Sequence, residues 1–139
     1  MKKNKKNKGF TLFELLVSIS IIGILTALAS VAFSGAQKKA RDARRMQDIK
    51  AIQTAAEQYY SQNNYVYPPN STTPWVGGSQ NILDAFPKDP KTGQLYIYTM
   101  SGGTYVVYAE VENNSNGNAA ATACSIGVTG AYFCAKNQQ

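Results

Sequence analysis

At 139 residues the chain has room for one small domain beside any membrane segment, and its formal charge of +6 comes from 14 basic against 8 acidic side chains. Five of those basic residues are lysines within the first eight positions, where no acid stands, so the remainder is nearly balanced at nine against eight. The absence of His excludes His-based acid–base catalysis and His metal ligands; with scattered carboxylates and no nucleophile–base pair, an enzyme is not expected.

Residues 1–9 carry Lys2, Lys3, Lys5, Lys6 and Lys8 and end at Gly9. Phe10-Thr11-Leu12-Phe13-Glu14 then opens an apolar run, 10–36, in which Glu14 is the only charged side chain. Its length exceeds the roughly 20 residues that cross a hydrocarbon core. A carboxylate in such a segment costs about 2.5–3.5 kcal/mol at a helix centre on insertion scales, so Glu14 marks a function and needs a partner. The basic leader, the Gly-Phe junction and the placed Glu together resemble the processing site of type IV pilins and type II secretion pseudopilins.

That resemblance implies cleavage by a prepilin peptidase between Gly9 and Phe10, N-methylation of Phe10, and a Glu14 carboxylate facing the N-terminal amine of a neighbouring subunit. An α-amino group has a pKa near ~8 and stays charged when methylated. Two opposite charges in a low-dielectric bundle satisfy each other, whereas either alone is penalised. The resemblance further implies a single-pass membrane protein before assembly and a homo-oligomeric helical filament afterwards, a pilus outside the cell or a pseudopilus in the envelope. Its other partners are then an inner-membrane assembly platform and a cytoplasmic assembly ATPase. Many type IV pilins carry a Pro where Val31 stands here, which leaves Gly23 and Gly35 as the weak points of this helix.

Two competing readings stay open along the same run. Ala27-Leu28-Ala29, preceded by the apolar stretch 15–26, also fits an ordinary signal-peptide site. The mature chain would then start at Ser30, as a secreted or membrane-anchored binding domain. Gly23 and Ala27, Ser30 and Ser34, and Ala32 and Ala36 stand four apart, the spacing of a close-packing helix face or of plain Ala/Ser enrichment. Lys38, Lys39, Arg41, Arg44 and Arg45 follow the run, so charge counting alone does not orient it.

From Gln37 the helix continues, with Met46, Ile49, Ile52 or Gln53, Ala56 and Tyr59 on one stripe, until Asn63-Asn64 and Pro68-Pro69 stop it. Arg44 and Asp48 form a supporting pair four apart. The basic cluster at 38–50 has the charge to touch DNA or anionic headgroups. It lacks interleaved aromatics and contains Asp42 and Asp48, so it reads as a solvated or headgroup-level face and nucleic acid is not indicated.

Residues 63–93 hold all five prolines and read as loop, with Ile82, Leu83 and Phe86 as one helical turn and Asp89-Pro90-Lys91-Thr92-Gly93 as a turn into a strand. Residues 95–98 and 105–111 flank Ser101-Gly102-Gly103 as a β-hairpin, and 128–135 read as a third strand. Cys124 and Cys134, an even pair in an exported chain, read as a disulfide. The domain plan is therefore a leader at 1–9, a long helix at 10–62 with 10–36 transmembrane, and a head at 63–139. The fold class is α+β, a long N-terminal α-helix packed against a small antiparallel β-sheet head. Similarity of the 87–93 turn to major pseudopilins points to Ca²⁺ on Asp84, Asp89 and loop carbonyls. The Asp-rich loop that would complete such a site is replaced by Asn113-Asn114-Ser115-Asn116-Gly117-Asn118, so no cofactor or metal site is assigned.

Overall fold

The computed structural model describes residues 9–120, 124 and 129–138. Residues 1–8, which carry the lysine leader, and 125–128, at the start of the expected third strand, lie outside that range. The chain divides into two compact units, Met1–Ala36 and Gln37–Gln139. One element, α1 (Leu12–Gln62), runs through both.

In the first unit every described residue is exposed, including the large apolar side chains Phe10, Leu12, Phe13, Ile24 and Phe33. The helix here is long and apolar enough to cross a membrane. Four of its hydroxyls turn inward on their own backbone. Ser18, Ser20, Thr26 and Ser30 each donate to the carbonyl four residues earlier at 2.8 Å, which removes free donors from the apolar surface. The helix is continuous past Val31, Gly23 and Gly35.

The second unit is α+β, with the remainder of α1 packed against antiparallel strands. Its sheet has the order β3 (Ile97–Ser101), β4 (Thr104–Glu110), β5 (Tyr132–Lys136). The central strand alternates as a half-buried strand must: Tyr105, Val107 and Ala109 face the helix, while Val106 and Tyr108 face the loop that carries Ala119 and the Cys124–Cys134 bond. Ile49, Ile52 and Ala56 of α1 are fully buried against the inner face. Each of the two isoleucines contributes about 1.5–3 kcal/mol of burial. Gly102 and Gly103, with φ of 58° and 79°, close the β3–β4 hairpin between the Ser101–Thr104 pair. Two consecutive positive φ values define the two-residue turn that matches strand twist, and Gly adopts them without a Cβ penalty.

Two expectations for the head are corrected. Ile82 and Leu83 are not in a helical turn: β1 (Trp75–Gly77) and β2 (Gln80–Leu83) form a second, two-stranded antiparallel sheet. Burial of Trp75 and Phe86, with ring centroids 5.6 Å apart, anchors this hairpin in the same aromatic core as Tyr98 and Tyr105. Gly78 at φ 58° lets the chain reverse there. The third strand is also shorter than expected, running Tyr132–Lys136. Backbone at Tyr132 is shared between β4 and an isolated bridge to Ala119.

The core is rich in tyrosine, and its hydroxyls are partnered. Tyr67 and Tyr105 donate to Glu57 at 2.9 and 3.2 Å, Tyr96 donates to Asp48 at 2.9 Å, and Tyr98 donates to the Pro68 carbonyl at 2.9 Å. Burial first, then the neighbouring carboxylates, push the phenols of Tyr96 and Tyr67 up.

Candidate assembly site

Thr11 precedes the first helical residue and is the N-cap of α1. Its Oγ1 accepts from the Glu14 amide at 3.2 Å, while Glu14 Oε2 accepts from both the Thr11 amide and Thr11 Oγ1 at 2.8 Å. This reciprocal pair is a capping box: Thr-x-x-Glu satisfies two amide donors that a helix start leaves bare. The carboxylate also sits at the positive end of the helix dipole, which favours a negative charge in the first turn. Phe10 and Gly9 lie just outside the helix, both exposed, and Glu14 is exposed as well. A cation arriving at the chain start meets an acid whose second oxygen, Oε1, has no partner among the described residues. The capping role of Thr11 is a functional detail absent from the expectation, although its Thr-x-x-Glu signal stood in plain view.

Cys124 and Cys134 are bonded to each other, with Cα atoms 5.7 Å apart, and lie far in sequence from the helix start. Cys134 is further pinned by Asn118, whose side chain accepts from its amide at 2.7 Å and donates to its carbonyl at 2.9 Å.

The charges at 38–50 divide: Lys38, Lys39, Arg44 and Lys50 are exposed as a solvated face would be, while the others turn into the head, which corrects the sequence expectation in part. Asp42, Arg45 and Asp48 are buried. Arg45 Nε and Nη2 bind Asp89 at 2.5 and 3.2 Å, while Nη1 donates to Asp42 at 2.8 Å and Glu112 at 3.1 Å. Arg41 closes the cluster with a two-pronged contact to Glu112 at 2.6 and 2.9 Å. Asp42 accepts in addition from the amides of Glu112 and Asn113 and from Asn116. The bonds from Arg41, then that from Arg45, hold the Glu112 carboxyl well below its usual range, at about 2. Burial works to raise Asp89, but Arg45 and the amides of Thr92 and Lys91 outweigh it and hold that carboxyl down. The hydrogen bond to Asp89 leads in raising Arg45.

The same geometry bears on the Ca²⁺ expectation. Asp89 turns its carboxylate to Arg45 and to the amides of Lys91 and Thr92 at 2.8 Å, so an internal guanidinium fills the place of a cation. Asp84 is exposed and stands apart from that network. Among the described residues no group of three or more His, Cys, Asp or Glu side chains is arranged to hold a metal ion.

Residues 4–30 match the family model described as the prokaryotic N-terminal methylation motif. The chain is 32% identical over 122 residues to type II secretion system core protein G of Vibrio cholerae, covering 78% of this chain and 82% of that protein. It is 34% identical over 115 residues to a fimbrial protein of Pseudomonas aeruginosa, covering 80% of this chain and 72% of that one. Similarity to the type IV major pilin protein PilA of Myxococcus xanthus is confined to 61 residues at 36% identity, 28% of that protein's length. No solved structure matches the chain at a significant level. A methylation motif on an apolar stretch with a single acid, together with similarity to core protein G and to a fimbrial protein over about four fifths of the chain, places this chain in the type IV pilin and type II secretion pseudopilin family as a structural subunit.

Proposed function

We propose that the chain is the building block of a type IV pilus-like surface filament, trimmed between Gly9 and Phe10 by a prepilin peptidase and N-methylated at Phe10. Residues 1–9 are then the leader, 10–36 the membrane anchor and later filament core, and 63–139 the head carried by the helix. The subunit waits in the membrane and is drawn into a helical bundle by an assembly platform and its cytoplasmic ATPase. Its work is assembly, not catalysis. The observation that carries this is Glu14, the single charge in the exposed apolar stretch 10–36, held at the helix start by Thr11 with one carboxylate oxygen open.

In this mechanism the Thr11 capping box lowers the cost of carrying the carboxylate in lipid, since a hydrogen-bonded acid is less penalised than a bare one. The amine of the next subunit's Phe10 then completes the neutralisation. Replacing Glu14 with Ala leaves insertion and cleavage intact and abolishes or stunts filaments. Normal filament yield from that variant, or a mature chain beginning at Ser30 by mass spectrometry, sinks the proposal.

A second reading, a major pseudopilin of a type II secretion or DNA-uptake machine, is favoured by the match that spans 82% of the Vibrio cholerae core protein G. Deleting the gene distinguishes the two: loss of long surface fibres indicates a pilus, and loss of protein secretion or DNA uptake without visible fibres indicates a pseudopilus.

A further inference from the structure

The central strand of the head is longer than its neighbour on one side. The β3–β4 ladder starts at the Ile97–Tyr108 pair, while β4 continues to Glu110 in register with Tyr132 of β5. The chain before Ile97 turns away to pair Leu95 with Lys88 instead. Among the described residues, those beyond Tyr108 therefore have a strand on the β5 side only.

The direction of the main-chain groups follows from the hydrogen bonds. The Val111 amide donates to the Ala131 carbonyl at 2.8 Å, so odd-numbered positions of this stretch bond toward β5. Tyr132, opposite Glu110, spends its own amide and carbonyl on residues 118 and 119 at 2.9–3.1 Å. The amide and carbonyl of Glu110 must then point to the side β3 has vacated, and neither has a partner among the described residues. They open into a groove of about 730 Å³ walled by Leu95, Ile97 and Tyr108; Arg45, Asp89, Lys91 and Glu112 in its lining are engaged with one another, and Lys38 is the lining cation left outside that network. Leu95 and Ile97 are about half exposed, at 46% and 52%.

A complementary edge exists elsewhere on the same head. β2 pairs with β1 on one side and, among the described residues, with no strand on the other. It leads directly into Asp84, an exposed acid with no ion pair or hydrogen bond among the described residues. We propose that the groove at Glu110 takes the outer edge of β2 and Asp84 from a second copy of this chain. The Glu110 main-chain groups extend the sheet across the contact, and Asp84 of the second copy meets Lys38, which has no ion pair among the described residues, whereas Lys91 is already paired with Glu112 at 3.4 Å. Main-chain pairing at an open edge supplies the bonds, and the charges set the register.

Joining two different patches makes the contact heterologous, so it repeats head to tail and builds an open helical array rather than a closed dimer. The inference rests on the filament reading for the presence of neighbouring copies. The patch is small and orients heads, while the apolar helices drive association.

The experiment uses filaments of the full chain carrying Asp84→Cys together with Gln94→Cys, at a residue that lines the same groove, with each single variant as control. Mild oxidation gives a ladder of cross-linked multimers on a non-reducing gel from the double variant, at least several-fold above either single one. In parallel, Asp84→Lys and Lys38→Glu each lower filament yield several-fold, and the two combined restore it. Normal filaments from every variant, with no ladder and no charge effect, overturn the contact while leaving the filament reading intact. A wild-type chain that forms no filaments at all overturns both.

Discussion

Replacing Arg45 with Met keeps the side chain's apolar stem and removes its guanidinium. Three carboxylates, Asp42, Asp89 and Glu112, then face one another around a site in which Arg45 was only 3% exposed. Breaking a buried ion pair by removing one partner costs about 3–5 kcal/mol. The lower end applies, because Glu112 keeps Arg41 and Asp42 keeps the amides of Glu112 and Asn113. With a urea slope of about 1–3 kcal/mol per molar, the unfolding midpoint falls by roughly 1–3 M. Trp75 is the only tryptophan and is 3% exposed in the head core, so its fluorescence in detergent-solubilised full chain reports head unfolding alone. Arg44→Met is the internal control, since its pair with Asp48 is solvent-exposed on the Arg side at 62% and costs no more than about 1 kcal/mol.

The pH profile gives this prediction a second arm. A carboxylate whose pKa is lowered on folding contributes stability that is present above its unfolded value and lost as pH falls through the folded one. Glu112 drops from 4.5 to about 2, and Asp42 and Asp89 are also lowered, so the native head loses this contribution as pH falls from about 4.5 towards 2. In the Arg45→Met variant those carboxylates no longer face a guanidinium at that position, and protonation relieves their repulsion. The gap between the two proteins therefore shrinks across that window. A midpoint shift below roughly 0.3 M at pH 7, or a gap of equal size at pH 7 and pH 3, refutes the assignment of stability to this network.

Three further outcomes follow from the head. Cys124→Ser with Cys134→Ser removes a bond across a separation of ten residues and costs about 3 kcal/mol by loop entropy, read from the same Trp75 midpoint. Gly117→Ala places a methyl group against the carbonyls of Gly130 and Tyr132 and costs about 1–3 kcal/mol, whereas a Cβ at Gly35 meets nothing and Gly35→Ala leaves the head's midpoint unchanged. Because Asp89 is bonded to Arg45, stripping the protein with a calcium chelator leaves its melting temperature where it was; a drop of several degrees would reveal a cation that the carboxylates hold.

The readable part of this protein was its local chemistry. Gly9-Phe10 before an apolar run, Glu14 alone within it, and the Thr11–Glu14 spacing all express themselves within one or two helical turns. So does the Gly102-Gly103 hairpin, because two positive φ values in succession select glycine at that place. The stripe through Ile49, Ile52 and Ala56 was legible for the same reason: helical periodicity is a property of the segment alone.

Two features escaped. Residues 80–83 carry an apolar pair that suits either a helical turn or a strand, and only pairing with Trp75–Gly77 selected the strand. Arg41, Asp42 and Arg45 look like any solvated helix face, since their partners Asp89 and Glu112 stand 44 to 71 positions away.

By itself the sequence determined that a long helix begins at a single acid and carries a small β head, because capping, hydrophobic run length and turn chemistry are short-range effects. The tertiary structure alone decided which charges are buried and which strand edges stay open. Burial and pairing depend on what the chain brings alongside from distant positions, and nothing in a residue's own neighbourhood records that.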